Sequence, residues 1–379
     1  MSARKTSARS VGAEDEAWMR LALELAAKGK GRCSPNPAVG AVIVKHGKVI
    51  GSGWHRGAGR PHAEVEALRS LEEPPEGAVM YVTLEPCNHH GRTPPCSDAI
   101  IKAGVGRVVI GARDTSPKKG VRGAAALRRA GVEVVTGVLK KECGRMVEDF
   151  IKHSTTGLPF VLLKTAMTLD GKIATVSGDS KWISSERSRR MVHRLRGEVD
   201  AVMVGTDTVI ADNPSLTARR GRARRNPLRV IVDGRLRIPL GSEVVKTAGE
   251  TPTLVATSSG GSLKKARALE KAGVEVLVAP SKGPRIDLGR LMEELGARGV
   301  MSVMIEGAGD LAGAAVGAGV VDRVMFFVAP KLVGGTRCAV TGFEVSRMKE
   351  ALRLHDVEAG VSGGDVVIEG RLGSIGVGR

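Results

Sequence analysis

The stretch from His62 to Cys96 constrains this chain most strongly, because it carries one imidazole and two thiols in a metal-binding pattern. It begins with PHAEVEAL and ends with TLEPCNHHGRTPPCSDAI. Nitrogen and sulfur donors together suit zinc, and a catalytic zinc site uses three protein ligands and leaves the fourth position to water. The sequence therefore predicts a zinc site formed by His62, Cys87 and Cys96.

Glu64 lies two residues after the imidazole and is predicted to carry protons rather than to bind the metal. A zinc ion lowers the pKa of its bound water towards about 7. The carboxylate would take a proton from that water and pass it to a leaving amine. Zinc deaminases of nucleobases carry H-x-E with P-C-x-x-C. Here the second cysteine follows nine residues after the first, so NHHGRTPP is predicted to form a loop at the mouth of the site.

The flanking residues predict where these side chains lie. Residues 79–84 (VMYVTL) are typical of a buried strand, which Pro86 would end. Cys96 follows two prolines and precedes apolar residues at helical spacing, so a helix should begin there. His62 follows Pro61 and should open another helix. The positive ends of both helices would favour thiolate and hydroxide at the metal.

Simpler interpretations exist for each motif taken alone. A single His-x-Glu is usually a solvated helix start, and Cys87 alone would be a small buried residue. The three candidate ligands together favour zinc-dependent hydrolysis or deamination. His89 and His90 are rival ligands, although their Gly-Arg-Thr-Pro loop makes substrate contact or exposure the better interpretation.

Length and composition are those of a globular protein with two domains. The chain has 379 residues, of which 42% are hydrophobic and 26% charged. It has no apolar run long enough for a membrane span. The basic MSARKTSARS start suggests a short disordered tail rather than a transit peptide. Cys33, Cys143 and Cys338 are scattered, which fits no disulfide framework and favours a reducing cytosol.

The net charge of +18 could indicate a nucleic-acid partner. The chain has only three tryptophans, one tyrosine and five phenylalanines, whereas proteins that bind single strands usually present aromatic stacking surfaces. A phosphorylated small substrate would need only a few of the arginines. Charge alone does not decide between these partners.

The first 152 residues alternate in the way an α/β/α sandwich does. A helix is predicted over residues 14–28, and a hairpin turn at His46-Gly47. In CSPNPAVG two prolines stiffen a loop and leave the Asn36 amide able to bind a ligand. A charged helix over 140–152 would end this domain, and residues 153–159 would form a linker.

The second domain, residues 158–379, is predicted to be a mostly parallel sheet covered by helices. FVLLKTAMTLDGKIAT should give a strand, a turn at Asp170-Gly171 and a second short strand. Ser184 or Ser185 should cap the next helix. Strands are then expected at DAVMVG, LRVIVD, TLVATS, VEVLVA and VMSVMIEG.

Two further stretches of this half could hold a ligand. The glycine-rich residues 308–313 are either a phosphate cradle at a helix start or a tight strand–helix turn. TDTVIAD, residues 206–212, follows a strand end, where open α/β sheets bind ligands. The basic run 219–225 is a solvated loop or a phosphate site, and Arg219 and Arg196 are the best phosphate candidates.

These motifs resemble one known family along almost the whole chain. PNPAVGAVIV, PHAEVEAL and TLEPCNHHGRTPPCSDAI look like the deaminase half of the bifunctional riboflavin-biosynthesis deaminase–reductases. KTAMTLDGKIAT, SGDSKWIS, GTDTVIADNPSLTAR, IEGAGDLAG and VAPKLVGG look like its reductase half. General nucleobase deaminases lack GRTPPC and a reductase domain.

The resemblance implies two reactions on two folds. A cytidine-deaminase-like α/β/α domain with one zinc ion would remove the 2-amino group of 2,5-diamino-6-(5-phosphoribosylamino)pyrimidin-4-one. A dihydrofolate-reductase-like α/β domain would then use NADPH to reduce the ribosyl group to ribityl. His62, Cys87 and Cys96 would be the zinc ligands, and Glu64 the proton shuttle.

The resemblance also implies the reductase residues. The nucleotide-binding positions are Ala166, Trp182, Thr208, Asp212, Gly234, Ala308, Gly309, Asp310, Leu311, Ala312, Gly313 and Ala314. The substrate positions are Ser180, Arg196, Leu216, Arg219 and Glu306. Gly234 stands where some members carry a serine, so a hydroxyl contact with the nucleotide would be lost there. The turn after Glu306 reads Glu-Gly-Ala-Gly instead of the commoner EGG or EAG.

We expect a cytoplasmic homo-oligomer that acts on a small phosphorylated pyrimidine, with no nucleic-acid or membrane partner. One alternative is a tRNA- or nucleoside-directed deaminase fused to an unrelated module, which the net charge favours. Another is a zinc-stabilised nucleic-acid-binding protein without turnover. Glu64 argues against the latter, because structural zinc sites are normally closed by four protein ligands.

Overall fold

The computed structural model describes residues 12–89, 94–115, 122–219 and 226–373. The chain divides into two compact units, residues 1–155 and 156–379. No helix in the described ranges combines the length and apolar character needed to cross a bilayer.

The first unit is built around a five-stranded sheet in the order β2-β1-β3-β4-β5, in which β2, β1 and β3 are antiparallel and β3, β4 and β5 are parallel. Its described elements are α1 Ala13–Ala27, β1 Gly40–Lys45, β2 Lys48–Trp54, α2 Ala63–Arg69, β3 Val79–Leu84, α3 Cys96–Lys102, β4 Arg107–Ala112, α4 Gly123–Arg129, β5 Glu133–Thr136, α5 Lys140–Met146 and α6 Glu148–Thr156.

Helices cover both faces of this sheet, and glycines in the strands let them approach. A Cβ atom at Gly40 would lie 2.1 Å from the Ala22 carbonyl oxygen of α1. A Cβ atom at Gly53 would lie 2.4 Å from the Ala67 nitrogen of α2. Gly53 pairs with Ala41, the neighbour of Gly40, so the two contacts lie on opposite faces. The sandwich predicted from the alternation of elements is confirmed.

The predicted hairpin at His46-Gly47 is also confirmed. Both residues have positive φ angles, 51° and 72°, as a two-residue turn between twisted strands requires. β3 is buried along most of its length, so its carboxyl end brings Cys87 to the edge of a rigid sheet.

The second unit contains a nine-stranded sheet in the order β10-β9-β8-β7-β13-β6-β14-β16-β15. Its described elements are β6 Phe160–Thr168, α7 Glu186–Arg196, β7 Ala201–Gly205, α8 Thr206–Asp212, β8 Leu228–Val232, α9 Glu243–Lys246, β9 Thr253–Thr257, α10 Leu263–Lys271, β10 Glu275–Val278, β11 Ser281–Lys282, β12 Arg285–Ile286, α11 Leu288–Ala297, β13 Ser302–Ile305, α12 Asp310–Gly317, β14 Arg323–Ala329, a 3₁₀ turn Met348–Glu350, β15 Leu354–Ser362 and β16 Asp365–Leu372.

In this sheet the neighbouring strands β10, β9, β8, β7, β13, β6 and β14 are all parallel. The strands β16 and β15 extend the sheet with antiparallel pairing. Apolar clusters lie on both faces, which explains why the parallel strands read as continuous hydrophobic runs. β11 and β12 form a separate two-stranded hairpin. The five predicted strands after the helix α7 are confirmed, and so is the cap, because Ser185 accepts a hydrogen bond from the Ser188 backbone nitrogen.

Three sequence expectations were wrong. The charged helix predicted over 140–152 is two helices, because Val147 is fully buried and its φ of −123° lies outside the helical range. The second of them, α6, continues to Thr156, so half of the predicted linker is helical. The second short strand after Asp170-Gly171 is absent from the described chain, where Lys172 makes only an isolated bridge with Cys338.

Candidate active sites

In the first unit the structure brings together the three predicted metal ligands. One donor atom from each of His62, Cys87 and Cys96 lies within 4.8 Å of the other two. The His62 Nδ1 atom is 3.2 Å from the Cys96 Sγ atom and 3.5 Å from the Cys87 Sγ atom. The set matches the donor preference of zinc and, with three ligands among the described residues, leaves a coordination position open.

Each candidate ligand lies at the end of a strand or at the start of a helix. His62 is the N-cap residue of α2, and Cys96 is the first residue of α3. Cys87 follows β3, and its loop is tied to α3 because the Cys96 and Ser97 nitrogens donate to the Cys87 Sγ and carbonyl oxygen at 3.4 and 3.2 Å. Ser97 also donates to the Asn88 side chain at 2.6 Å. Sequence spacing had indicated these helix starts correctly.

The contact between the two thiols shifts their pKa values in opposite directions. The hydrogen bond from Cys96 lowers the pKa of the Cys87 thiol to about 4. The same contact, together with burial, raises the pKa of the Cys96 thiol. The lowered pKa of Cys87 favours the thiolate form, which is the form that binds a divalent metal.

Glu64 lies in the cavity beside the ligands and is 3% exposed. Burial, and then the negative charge of Cys87, raises the pKa of its carboxyl group to about 7. The cavity has a volume of about 360 Å³ and is lined by Pro35, Asn36, Pro37, Val39, His55, Gly59, Arg60, His62, Glu64, Leu84, Glu85, Cys87, His89, Asp114 and Phe150. His89 therefore faces the cavity but is outside the ligand set, and His90 lies outside the described residues.

His55 is a cavity residue that the sequence argument missed. Its Nδ1 atom is 3.0 Å from the Pro61 carbonyl oxygen, which can only accept, so Nδ1 carries the proton. Burial lowers the pKa of His55 and keeps the ring neutral. Its Nε2 atom must then accept from the Asn36 Nδ2 atom at 3.0 Å. Asn36 consequently keeps its carbonyl oxygen, which has no partner among the described residues, for a ligand.

In the second unit a cleft of about 560 Å³ opens at the carboxyl ends of β6, β7 and β13; we call it the Glu306 cleft. Arg196 clamps the Glu306 carboxylate through two hydrogen bonds, from Nε at 2.5 Å and from Nη2 at 3.0 Å. Arg196 also donates to the Thr217 carbonyl oxygen at 3.3 Å. The pKa of Glu306 is lowered despite its burial, mainly by the Arg196 charge, so it is a carboxylate at neutral pH.

Lys164 is a second residue that the sequence argument missed. It lies within β6, and its Nζ atom is 4.0 Å from the Glu306 Oε2 atom in the same cleft. Burial lowers its pKa, although the Glu306 charge opposes that effect. The available signal was a single lysine inside the apolar run FVLLKTAM, because charged residues are rarely buried unless they are paired.

Ten residues predicted for the reductase site line the Glu306 cleft: Ala166, Ser180, Trp182, Arg196, Thr208, Asp212, Leu216, Arg219, Glu306 and Ala308. Ser180 donates to the Asp212 carboxylate at 3.1 Å, and the Arg189 guanidinium stacks on the Trp182 ring at 4.4 Å. Arg219 is exposed and donates to the Ser215 hydroxyl at 2.8 Å. Residues 220–225 of the basic run lie outside the described chain.

A second cleft, of about 790 Å³, lies beside the first, and Asp207 lines both. We call it the Arg285 cleft. It contains four of the predicted nucleotide positions, Gly234, Asp310, Leu311 and Ala314. Gly309, Ala312 and Gly313 line neither cleft. Ala312 is in the core, and a Cβ atom at Gly313 would lie 1.7 Å from the Thr341 carbonyl oxygen, so these two residues pack α12 against the chain.

Two family models match the chain. The cytidine and deoxycytidylate deaminase zinc-binding region matches residues 13–112, and the RibD C-terminal domain matches residues 159–368. The riboflavin biosynthesis protein RibD of Actinobacillus pleuropneumoniae is 44% identical over 354 residues, which cover 93% of this chain and 94% of that protein. RibD of Escherichia coli K12 is 40% identical and covers 87% of this chain and 92% of its own.

Two solved structures superpose over nearly the full length. One is a diaminohydroxyphosphoribosylaminopyrimidine deaminase/5-amino-6-(5-phosphoribosylamino)uracil reductase from Thermotoga maritima, with a TM-score of 0.81 and 37% identity. It covers 95% of this chain and 99% of that one. The other is RibD of Acinetobacter baumannii, with a TM-score of 0.81, 35% identity and the same coverage.

Proposed function

The chain belongs to the RibD family of bifunctional riboflavin-biosynthesis enzymes, and from that premise we propose which of its residues carry each reaction. The first unit is a zinc-dependent deaminase with the cytidine deaminase fold. The second is an NADPH-dependent reductase with the dihydrofolate-reductase-like fold of the RibD C-terminal domain. The alternative of a deaminase fused to an unrelated module fails, because the second unit matches the RibD reductase model.

For deamination, the observation that carries the proposal is the convergence of His62, Cys87 and Cys96 beside a buried carboxyl group. These three side chains hold the zinc ion. When bound, zinc supplies the Lewis acidity that makes water nucleophilic at neutral pH. Glu64 accepts the proton of the attacking water and delivers it to the departing amino group, so its carboxyl group ends the cycle as it began.

Asn36 and His55 orient the pyrimidine in this cavity. The neutral His55 ring fixes the Asn36 amide so that its carbonyl oxygen faces a ligand donor. The diaminopyrimidine substrate offers N–H donors beside the amino group that leaves, whereas a carbonyl presented there would repel an acceptor. The cavity thus selects the tautomer and the ring face that reach Glu64.

For reduction, the Glu306 cleft binds the phosphoribosyl group and the nicotinamide. When bound, NADPH supplies the hydride. The Arg196 clamp holds the Glu306 carboxylate so that its remaining lone pairs can accept from sugar hydroxyls. Arg219 is the better of the two phosphate candidates, because Arg196 is committed to Glu306, whereas Arg219 holds only a neutral hydroxyl. Lys164 can donate to an acceptor on the pyrimidine, since it lines the same cleft.

Two activities measured on one preparation test this assignment. Ammonia release from the diaminopyrimidine and NADPH oxidation with the separately prepared uracil should both occur in zinc-loaded wild type. Glu64→Gln should lose only ammonia release. Glu66→Gln is the matched control, because Glu66 lies on the same helix and pairs with Arg56 instead of facing the cavity. Loss of ammonia release in both variants, or in neither, would refute the role given to Glu64.

We infer in addition that the protein is a homo-oligomer in the cytoplasm. β15 is a nine-residue edge strand with exposed residues along most of its length, and Val357 and Val361 are 54% and 74% exposed. Such an edge favours pairing with another strand. None of the five cysteines forms a disulfide, which suits a reducing compartment. Light scattering on the purified protein would show whether it is a monomer instead.

A further inference from the structure

We propose that Lys282, Arg285 and Arg235 hold the 2′-phosphate of NADPH and so set the preference of this enzyme for NADPH over NADH. The proposal rests on the proposed function only in taking the second unit as the cofactor-binding reductase. It deepens that function by assigning cofactor selectivity to a hairpin, β11–β12, that motif matching did not single out.

The route of the cofactor follows from the two clefts. The nicotinamide must reach the sugar in the Glu306 cleft. The start of α12 lies between the clefts, because Gly307 and Ala308 line the first and Asp310 and Leu311 line the second. A helix start with glycines before it accepts a diphosphate. The adenosine end of an extended dinucleotide then falls in the Arg285 cleft.

The Arg285 cleft contains three cations that form no ion pair with any residue in the described part of the chain. Lys282 and Arg285 are direct cross-strand partners in the hairpin, so both side chains leave it on one face. Arg235 lies on the turn after β8 and lines the same cleft. All three are exposed, and none has an ion pair or a side-chain hydrogen bond with any described residue. Three uncommitted cations around one cleft suit a dianionic phosphate monoester.

The acidic residues of the cleft are already engaged. Asp207 pairs with Arg237 at 2.7 Å. Asp233 is buried and accepts from the Arg237 and Ile238 nitrogens, which fixes the turn that carries Arg235. Asp287 caps α11, and Asp310 accepts from the Thr341 hydroxyl at 2.6 Å. Lys282, Arg285 and Arg235 are therefore the exposed cations of the cleft that can pair with an added phosphate.

Gly234 shows that the hairpin is built into this site. A Cβ atom at position 234 would lie 1.8 Å from the Pro284 carbonyl oxygen at the hairpin turn. The hairpin therefore occupies the space that a serine side chain would need. In this chain the lost hydroxyl contact is replaced by two cations that the same turn delivers. The basic hairpin can therefore take this position only because residue 234 is a glycine.

The test compares two nucleotides that differ only in the phosphate. Calorimetric titration of the full-length, zinc-loaded protein with 2′,5′-ADP and with 5′-AMP isolates the 2′-phosphate without turnover. Wild type should bind 2′,5′-ADP at least tenfold more tightly. The double variant Lys282→Ala/Arg285→Ala should lower that ratio about tenfold or more, and the ratio of NADPH to NADH in kcat/KM should fall in parallel.

The matched control is Lys264→Ala/Arg267→Ala, which removes the same two charges from exposed positions of α10 outside both clefts. It should leave both ratios as in wild type. Gly234→Ser should lower the nucleotide ratio as well, because its Cβ atom displaces the hairpin. A titration with inorganic phosphate distinguishes a general anion site from a cofactor site. If phosphate at the same concentration as 2′,5′-ADP displaces the nucleotide, the cations form a general anion site and the inference is refuted. A cofactor site should keep 2′,5′-ADP bound under that condition.

The outcomes are distinguishable. If wild type binds the two nucleotides equally while NADPH is still oxidised, the phosphate assignment is wrong and the reductase function stands. If the double variant keeps the wild-type ratio, the phosphate is held elsewhere and the inference is refuted. If neither nucleotide binds and neither dinucleotide is oxidised, the cofactor site of the proposed function is itself refuted.

Discussion

Replacement of Arg229 by methionine should destabilise the second unit by about 3 kcal/mol. Arg229 lies in β8, is fully buried, and pairs with no carboxylate in the described chain. Its guanidinium group makes six hydrogen-bond contacts with neutral oxygen atoms around it, and the three contacts of Nη2 share the two N–H groups of that atom. Burial lowers the pKa of the group to about 10, so it is still charged at neutral pH.

The magnitude follows from opposing contributions. The five N–H groups of this charged donor contribute about 8–15 kcal/mol in gross terms. The cost of removing the cation from water is several kcal/mol, and a buried methionine side chain would regain about 2 kcal/mol. Three of the six acceptors, the Val244, Thr247 and Thr251 carbonyl oxygens, keep a second donor, whereas Ser215 has no other donor for its carbonyl oxygen among the described residues. The net result is a loss of about 3 kcal/mol in the free energy of unfolding, which is near the lower end of the values typical for breaking a buried charged network.

The assay is thermal unfolding followed by calorimetry. For a unit of this size about 1 kcal/mol corresponds to about 2–4 °C, so the transition of the second unit should fall by about 6–12 °C. Reduction should weaken first through KM, because Ser215 precedes the cleft residue Leu216. Ammonia release should persist, since the first unit is separate.

Arg190→Met is the control, because Arg190 is an exposed residue whose ion pair among the described residues is with Glu186 on its own helix, α7. That change should shift unfolding by less than about 0.5 kcal/mol. If Arg229→Met also shifts unfolding by less than about 1 kcal/mol, the buried guanidinium group is not the anchor that its hydrogen bonds indicate.

Three further predictions concern pH, substrate binding and metal. The Thr168 hydroxyl, with the Gly334 nitrogen, lowers the pKa of Asp170 from 3.8 to about 2. The resulting stabilisation is complete above pH 3.8 and is lost as pH falls through 2, so Asp170→Asn should flatten the acid-unfolding profile over that window. His55→Ala should raise KM for deamination about tenfold with a smaller effect on kcat, because Asn36 loses its fixed orientation; an effect confined to kcat would contradict this role. Removal of zinc with a chelator should lower the unfolding temperature of the first unit. For zinc present at a thousandfold its dissociation constant, the free energy of unfolding should fall by about 4 kcal/mol. The second unit should not respond, and an equal shift of both transitions would argue against zinc in the first unit alone.

Much of the fold could be predicted from local sequence. Hydrophobic periodicity, the His46-Gly47 turn and the Ser185 cap each act over a few residues, and the structure has them where they were expected. The failures came where a distant contact overrode the local pattern. Val147 leaves the helix because the core takes its side chain, and residues after Gly171 contact Cys338 instead of forming a strand.

The metal site was predictable for a different reason. Cysteine and histidine are infrequent residues with specific chemistry, and His62, Cys87 and Cys96 each lie beside a proline that marks the end or the start of an element. Lys164, His55 and Arg229 escaped prediction, because a single lysine, histidine or arginine has no distinctive spacing. What they do depends on partners far away in sequence.

The sequence by itself determined most of the order of elements, the two-unit architecture, the three candidate metal ligands and the family, since these depend on local periodicity and on rare residue types at fixed spacing. Tertiary structure alone decided that Arg196 clamps Glu306, that Asn36 is oriented by His55, and that Gly234 makes room for a basic hairpin. Each of these depends on how closely two distant backbones approach. The physical reason is that the free energies of packing, burial and charge pairing depend on distances in space, which separation along a chain does not give.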